Sequence, residues 1–186
     1  MICFIDFETT GVDVFRDEPI EFGAVLVDAD LNIRKEFLSK IRLRKSTYLT
    51  KRAFNIHNIS IESLGDEPTQ YEVLESFFNE FGTDYRLSGW NISFDVSFLR
   101  KMCHKNGMMI KYNKINYHHI DIQSLGFLAM ELGLVEKDKI SLSDWVNHFG
   151  LKRKSNHSAL NDAILTFQVY KQLMDIFRNQ VISEYK

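Results

Sequence analysis

Ile2-Cys3-Phe4-Ile5-Asp6-Phe7-Glu8-Thr9-Thr10-Gly11 opens the chain, and the fold turns on how this stretch is read. The apolar run Ile2–Ile5 predicts a buried strand over Ile2–Asp6 that ends on an acid. Side chains two apart on a strand share a face, so Asp6 and Glu8 project together. Acids at the end of an apolar strand are costly to desolvate unless they are paired or hold a metal. Either the pair works on a cation or the strand has reached solvent there. This segment alone leaves both readings open.

Outward from that strand, Ile20–Val27 and Ile33–Leu43 read as two more strands, joined by a hairpin turn at Asp28–Asn32. A short helix is expected around Tyr48–Asn55 and a longer one over Tyr71–Phe81. A strand at Arg86–Trp90 and a helix from Phe94 to Lys105 follow. Asn116–Ile120 reads as a fifth strand, leading into helices over Ile122–Leu132 and Leu142–Phe149. The last helix is predicted over Ser158–Phe177, with Ile164, Phe167, Tyr170, Met174 and Phe177 recurring three or four apart. A meander followed by alternating helices and strands makes an α/β fold, one mixed sheet covered by helices. The chain has 186 residues, of which 45% are hydrophobic, and only two prolines and two cysteines. That suffices for one self-supporting domain over residues 1–186, with no disulfide framework and no zinc pattern. No charged-then-apolar leader opens the chain, and no apolar run approaches the roughly 20 residues of a membrane span. A soluble, cytoplasmic protein is expected.

The net charge of −2 hides a segregation. Asp6, Glu8, Asp13, Asp17, Glu18, Glu21, Asp28 and Asp30 face only Arg16, whereas Arg34, Lys35, Lys40, Arg42, Arg44, Lys45, Lys51 and Arg52 face only Glu36. Basic clusters are usually solvated faces. Beside an acidic centre able to hold cations, however, they supply the positive flanks that phosphates need.

Two further segments carry acids in unusual company. In Gly89-Trp90-Asn91-Ile92-Ser93-Phe94-Asp95-Val96-Ser97-Phe98-Leu99, Asp95 shares a helix face with Phe98, Leu99 and Met102. A carboxylate in line with an apolar stripe points to core or cleft, although an acid in a first turn is also favoured by the helix dipole. In His157-Ser158-Ala159-Leu160-Asn161-Asp162, a spacing of five sets His157 and Asp162 about 140° apart on a regular helix. Both reach one cleft only if His157 lies on the preceding loop, with Ser158 as the helix N-cap.

Asp-x-Glu on a strand, Asn-x-x-Phe-Asp opening a helix and His-x4-Asp near the end of the sequence, in that order, resemble the DEDDh (DnaQ-like) 3′→5′ exonucleases. That group includes the proofreading epsilon subunit of bacterial DNA polymerase III, ribonuclease T and oligoribonuclease. Ile20-Glu21-Phe22-Gly23-Ala24 resembles the family's second strand, and Ile56-His57-Asn58-Ile59 a substrate-side loop usually written Val/Ile-His-Gly-Ile. Asn58 stands where that loop has glycine, and Trp90 where many relatives carry histidine. The branch with Tyr-x3-Asp is excluded, because Ser158 stands four before Asp162.

The resemblance implies an RNase H-like fold with a mixed five-stranded sheet flanked by helices. It implies Asp6, Glu8, Asp95 and Asp162 as metal ligands and His157 as general base. It also implies Thr9, Ile56, His57, Asn91 and Phe94 as the lining of a terminal-nucleotide pocket. Oxygen-only ligands suit two Mg²⁺ or Mn²⁺ ions, which activate a water and stabilise the leaving 3′ oxygen. A histidine with an ordinary pKa near 6.5 suits proton acceptance at neutral pH. The partner implied is a single-stranded nucleic acid, DNA ahead of RNA. An RNA-trimming enzyme and a catalytically silent nucleic-acid-binding module are the alternatives. Asp121, between a strand and a helix, reads as structural. With the last helix ending near Phe177, no long tail tethers the chain to a polymerase. A stand-alone enzyme is therefore expected, with docking of a polymerase on the domain itself as the other arrangement.

Overall fold

The computed structural model describes residues 1–43, 47–136, 138–153 and 158–184, with side chains described as far as Gln180. Five strands form one sheet: β1 (Ile2–Thr9), β2 (Pro19–Val27), β3 (Ile33–Lys40), β4 (Arg86–Gly89) and β5 (Asn116–Asp121), in the order β3-β2-β1-β4-β5. The first three form an antiparallel meander, whereas β4 and β5 run parallel to β1. The helices are α1 (Lys51–His57), α2 (Gln70–Phe81), α3 (Ile92–Lys105), α4 (Met109–Tyr112), α5 (Ile122–Glu131), α6 (Leu142–His148) and α7 (Ala159–Glu184).

The strand period divides β1 between two cores. Cys3, Ile5 and Phe7 pack with Phe22, Phe77 and Phe98 under α2 and α3. Phe4 packs with Trp145, Phe167 and Val169 under α5, α6 and α7. Asp6 and Glu8 continue the Phe4 face, so they point toward α7. No long side chain separates that helix from the sheet at Gly23. A Cβ there would lie 2.1 Å from the Leu160 nitrogen and 2.2 Å from the Ala159 carbonyl carbon. Only glycine lets the start of α7 approach the strand this closely.

Several expected boundaries shift. β1 continues to Thr9, with Glu8 8% and Thr9 7% exposed, so this strand has not reached solvent at its acids. β3 ends at Lys40 rather than Leu43; beyond it the Ile41 amide donates to Ile20 outside the ladder and the Arg42 amide to Pro68. α4 and a 3-10 turn at Ile61–Leu64 were not expected, being too short to show a helical period. α7 extends to Glu184, beyond the expected end at Phe177. Its most deeply buried residues include Ala163, Leu165, Val169 and Leu173, broader than the expected stripe, because α7 covers the sheet while also touching α5 and α6. Among the described residues, no helix is long and apolar enough to cross a membrane.

Candidate active site

Asp6 and Glu8 are delivered by β1, and Asp162 by the first turn of α7. One carboxylate oxygen from each lies within 4.8 Å of the others. Four features of the backbone produce this. The β1 pleat puts the two strand acids on one face. Gly23 admits α7. Glu21, paired with Glu8 across β1 and β2, accepts a 2.9 Å hydrogen bond from the Ala159 amide through Oε1. The register slips between Glu8 and Thr9, a bulge of the kind that re-aims side chains beside functional sites. Ser158 stands at the N-cap as expected, its carbonyl accepting from the Asp162 amide at 2.9 Å, and Glu21 adds an acid at the positive end of the same helix.

Asp95 approaches from the other face and stands outside the 4.8 Å group, close enough to Asp6 to raise its carboxyl. β4 pairs with β1 only from Ile2 to Phe4, so the Phe7 amide lies beyond the ladder, and Asp95 Oδ1 accepts it at 3.0 Å. Asp95 is 2% exposed. Its carboxylate lies under Gly89, where a Cβ would sit 3.6 Å from Oδ2. Arg153 bonds Asp162.

Electrostatics mark the cluster as strained without a cation. Burial pushes the Asp6 carboxyl well above the ordinary range. Asp95, Glu8 and Asp162 push it further, against a smaller lowering by Arg153. Burial, then Asp162 and Glu21, raise Glu8 to about 8. Burial likewise raises Asp95, although the Phe7 amide counters it. Carboxylates that resist ionising together because each is desolvated beside the others are a fitting cradle for a hard divalent cation. All donors are oxygens, which suits Mg²⁺ or Mn²⁺ better than zinc.

A cavity of about 390 Å³ adjoins the cluster, lined by Glu8, Thr9, Arg52, Ile56, His57 and Phe94, among others. The Thr9 hydroxyl donates to the Gly11 carbonyl at 2.6 Å. His57 is 7% exposed and its Nδ1 accepts from the Ile59 amide. That turn needs the left-handed conformation at Asn58 (φ 56°, ψ 25°), which asparagine tolerates without glycine. Asn91 does not line this cavity. It begins α3 at φ 55°, its amide donating to Asp121 and its side-chain oxygen accepting from Ser93. Asp121 thus holds Asn91 and caps α5 through Gln123 and Ser124, the structural task expected of it. His157 lies outside the described residues, as do Arg44 and Lys45.

Glu21 was not singled out from the sequence, although the signal was present: an acid inside the apolar run Ile20–Val27 invites the same question as Asp6.

Residues 3–170 match the profile of the RNase T exonuclease family. The chain belongs to that family. Among relatives of this exonuclease chain, DNA polymerase III PolC-type of Thermotoga petrophila is 32% identical over 174 residues, covering 94% of the chain but 12% of the relative. Escherichia coli exonuclease I, solved in complex with a dT13 oligonucleotide, superposes with a TM-score of 0.79 at 17% identity, over 99% of this chain and 42% of the other. The nuclease domain of 3′hExo, a DEDDh family member bound to rAMP, gives 0.69 at 21% identity over 94% and 91%. The fold is the RNase H-like α/β fold of these exonucleases. The chain spans only a fraction of the polymerase relative and less than half of exonuclease I.

Proposed function

We propose that residues 1–186 form one exonuclease domain that removes nucleoside monophosphates from the 3′ end of single-stranded DNA with the help of two Mg²⁺ or Mn²⁺ ions. The observation that carries this is the convergence of Asp6, Glu8 and Asp162 oxygens within 4.8 Å at the mouth of a cavity that Thr9, Ile56, His57 and Phe94 line.

In this reading Asp6, Glu8, Asp162 and Asp95 hold the cations. When bound, these activate the attacking water and stabilise the departing 3′ oxygen. Phe94 and Ile56 offer apolar surface to the terminal nucleoside, and Thr9 offers polar contacts. Arg52 brings positive charge to the rim. His157 takes the proton of the attacking water. The dT13 bound to exonuclease I supports DNA, and the rAMP on the 3′hExo domain keeps RNA as the competing substrate. The polymerase relative supports work beside a DNA polymerase, with the partner docked on the domain or joined to it.

The test is digestion of end-labelled strands. A 5′-labelled single strand should shorten one nucleotide at a time with Mg²⁺ and not with chelator. Asp6→Ala should abolish turnover while the fold persists. His157→Ala should lower kcat by about 10²- to 10⁴-fold. Rapid cutting of a circular single strand would refute the exonuclease reading, and faster loss of RNA than DNA would reassign the substrate.

A further inference from the structure

The cavities away from the cleft differ in charge. One, of about 820 Å³, lies at the opposite end of the sheet, lined by Arg86, Lys114 and Arg178 together with Asp28 and Asp84. Another of about 450 Å³, between α3, α4 and β5, has no carboxylate among the described residues of its lining; Ser97, Arg100, Tyr112, Asn113, Tyr117 and His119 contribute to it. On a chain with more acids than bases, an acid-free hollow containing arginine and two tyrosines is a selective place for an anion carrying flat rings.

The backbone is shaped to present it. β4 and β5 pair at Arg86↔Asn116 and next at Ser88↔Ile120. Leu87 alone therefore faces the three residues Tyr117, His118 and His119. This swelling re-aims side chains and breaks the row of amides and carbonyls that an added peptide strand would need. Tyr117 is 80% exposed, and its ring centroid lies 4.1 Å from that of His118. Burial and His118 hold His119 below the ordinary histidine value, so near neutral pH the formal positive charge comes from Arg100. Arg100 makes no ion pair among the described residues. It lies three residues beyond Ser97 on the exposed face of α3. It is also about 7.5 Å along the helix axis from Asp95, at five residues of 1.5 Å rise. The same helix thus opens at the catalytic cleft and passes the hollow.

We propose that this hollow is a second subsite for single-stranded nucleic acid, in which Tyr117 stacks on a base and Arg100 meets a phosphate of the strand upstream of the cleft. The direction of the strand rests on the exonuclease reading of the cleft; the binding does not.

Fluorescence anisotropy with 5′-fluorescein-labelled oligothymidylates separates the two. For Tyr117→Ala, a strand of ~12 nucleotides should bind about 5- to 50-fold more weakly, as expected for one lost stacked base. Arg100→Ala should reduce the salt slope of binding by about one. A trinucleotide, too short to span cleft and hollow, should bind both variants as it binds the parent chain. Unchanged affinity for the long strand, or an equal loss for the trinucleotide, overturns the subsite. Hydrolysis of the 4-nitrophenyl ester of thymidine 5′-monophosphate reads the cleft alone and should be unaffected by either substitution. If the parent chain leaves that ester and all strands intact while Tyr117→Ala still weakens long-strand binding, the subsite stands and the exonuclease reading falls.

Discussion

Glu21 shows how much of a site can rest on one side chain that meets no substrate. Its Oε1 receives the Ala159 amide three residues before Asp162, and it sits 5% exposed opposite Glu8. Two buried acids facing each other repel, so the arrangement persists only because the helix end offsets the repulsion. Glu21→Ala should weaken Mn²⁺ binding, measured by titration calorimetry, and raise the metal concentration needed for half-maximal turnover. Glu21→Gln keeps an acceptor for Ala159 and should restore most of both. Equal losses in the two variants would assign the effect to charge instead of position. Glu8 provides a pH test. Its carboxyl titrates near 8 in the folded chain against an ordinary 4.5, so between those values the folded state holds a proton that the unfolded state has released. Stability from this group is therefore present below about 4.5 and is lost as pH rises toward 8. The melting temperature of the chelated protein should fall across that window, and Glu8→Gln should flatten the fall. Binding of a divalent cation at pH 7 should release protons, visible as a buffer-dependent calorimetric enthalpy.

Among the elements, the contact between β2 and α7 is the least tolerant. Gly23→Ala would drive a methyl group into the Ala159 and Leu160 backbone, and no rotamer relieves a backbone clash. The variant should melt several degrees lower and lose metal affinity out of proportion to its loss of helix. A variant with parental metal binding would show that α7 can shift without moving Asp162. The five strands and the order of the helices were legible because apolar runs and 3.6-residue stripes are long-range averages. The acids of β1 were legible as misfits in such a run. Glu21 belongs to the same class. What hid it was the absence of any local partner, since Ala159 is 138 residues away. The β5 bulge was invisible for a similar reason: it is a difference in residue count between two strands, present in neither alone. Asn58 and Asn91 are both left-handed, which their types allow, asparagine being the residue besides glycine that most readily fits there.

For the whole molecule, the basic stretch 34–52 divides by partner. Arg34 pairs with Asp28, Lys35 donates to the Glu80 carbonyl, and Arg42 donates to the Glu67 carbonyl. These charges serve the far side of the sheet, whereas Arg52 lines the cleft. The expected tracking of phosphates by the entire stretch therefore narrows. Arg52→Gln should raise KM for single strands and flatten its dependence on salt, with kcat little changed. The triple neutralisation of Arg34, Lys35 and Arg42 should leave both alone. A larger effect from the triple variant would reverse this division.

Asp6 and Asp162 meet across nearly the whole length of the chain. During synthesis the strand that carries Asp6 and Glu8 emerges well before α7, the helix that completes the cluster. A ribosome-bound nascent chain can assemble its meander and aromatic core long before it can close the acidic cluster. Long-range contacts of this kind form late because loop closure must precede them. The order of translation thereby postpones the cluster until all five strands are made. A stalled or prematurely terminated product, lacking α7, would carry Asp6 and Glu8 without the third acid of the cluster.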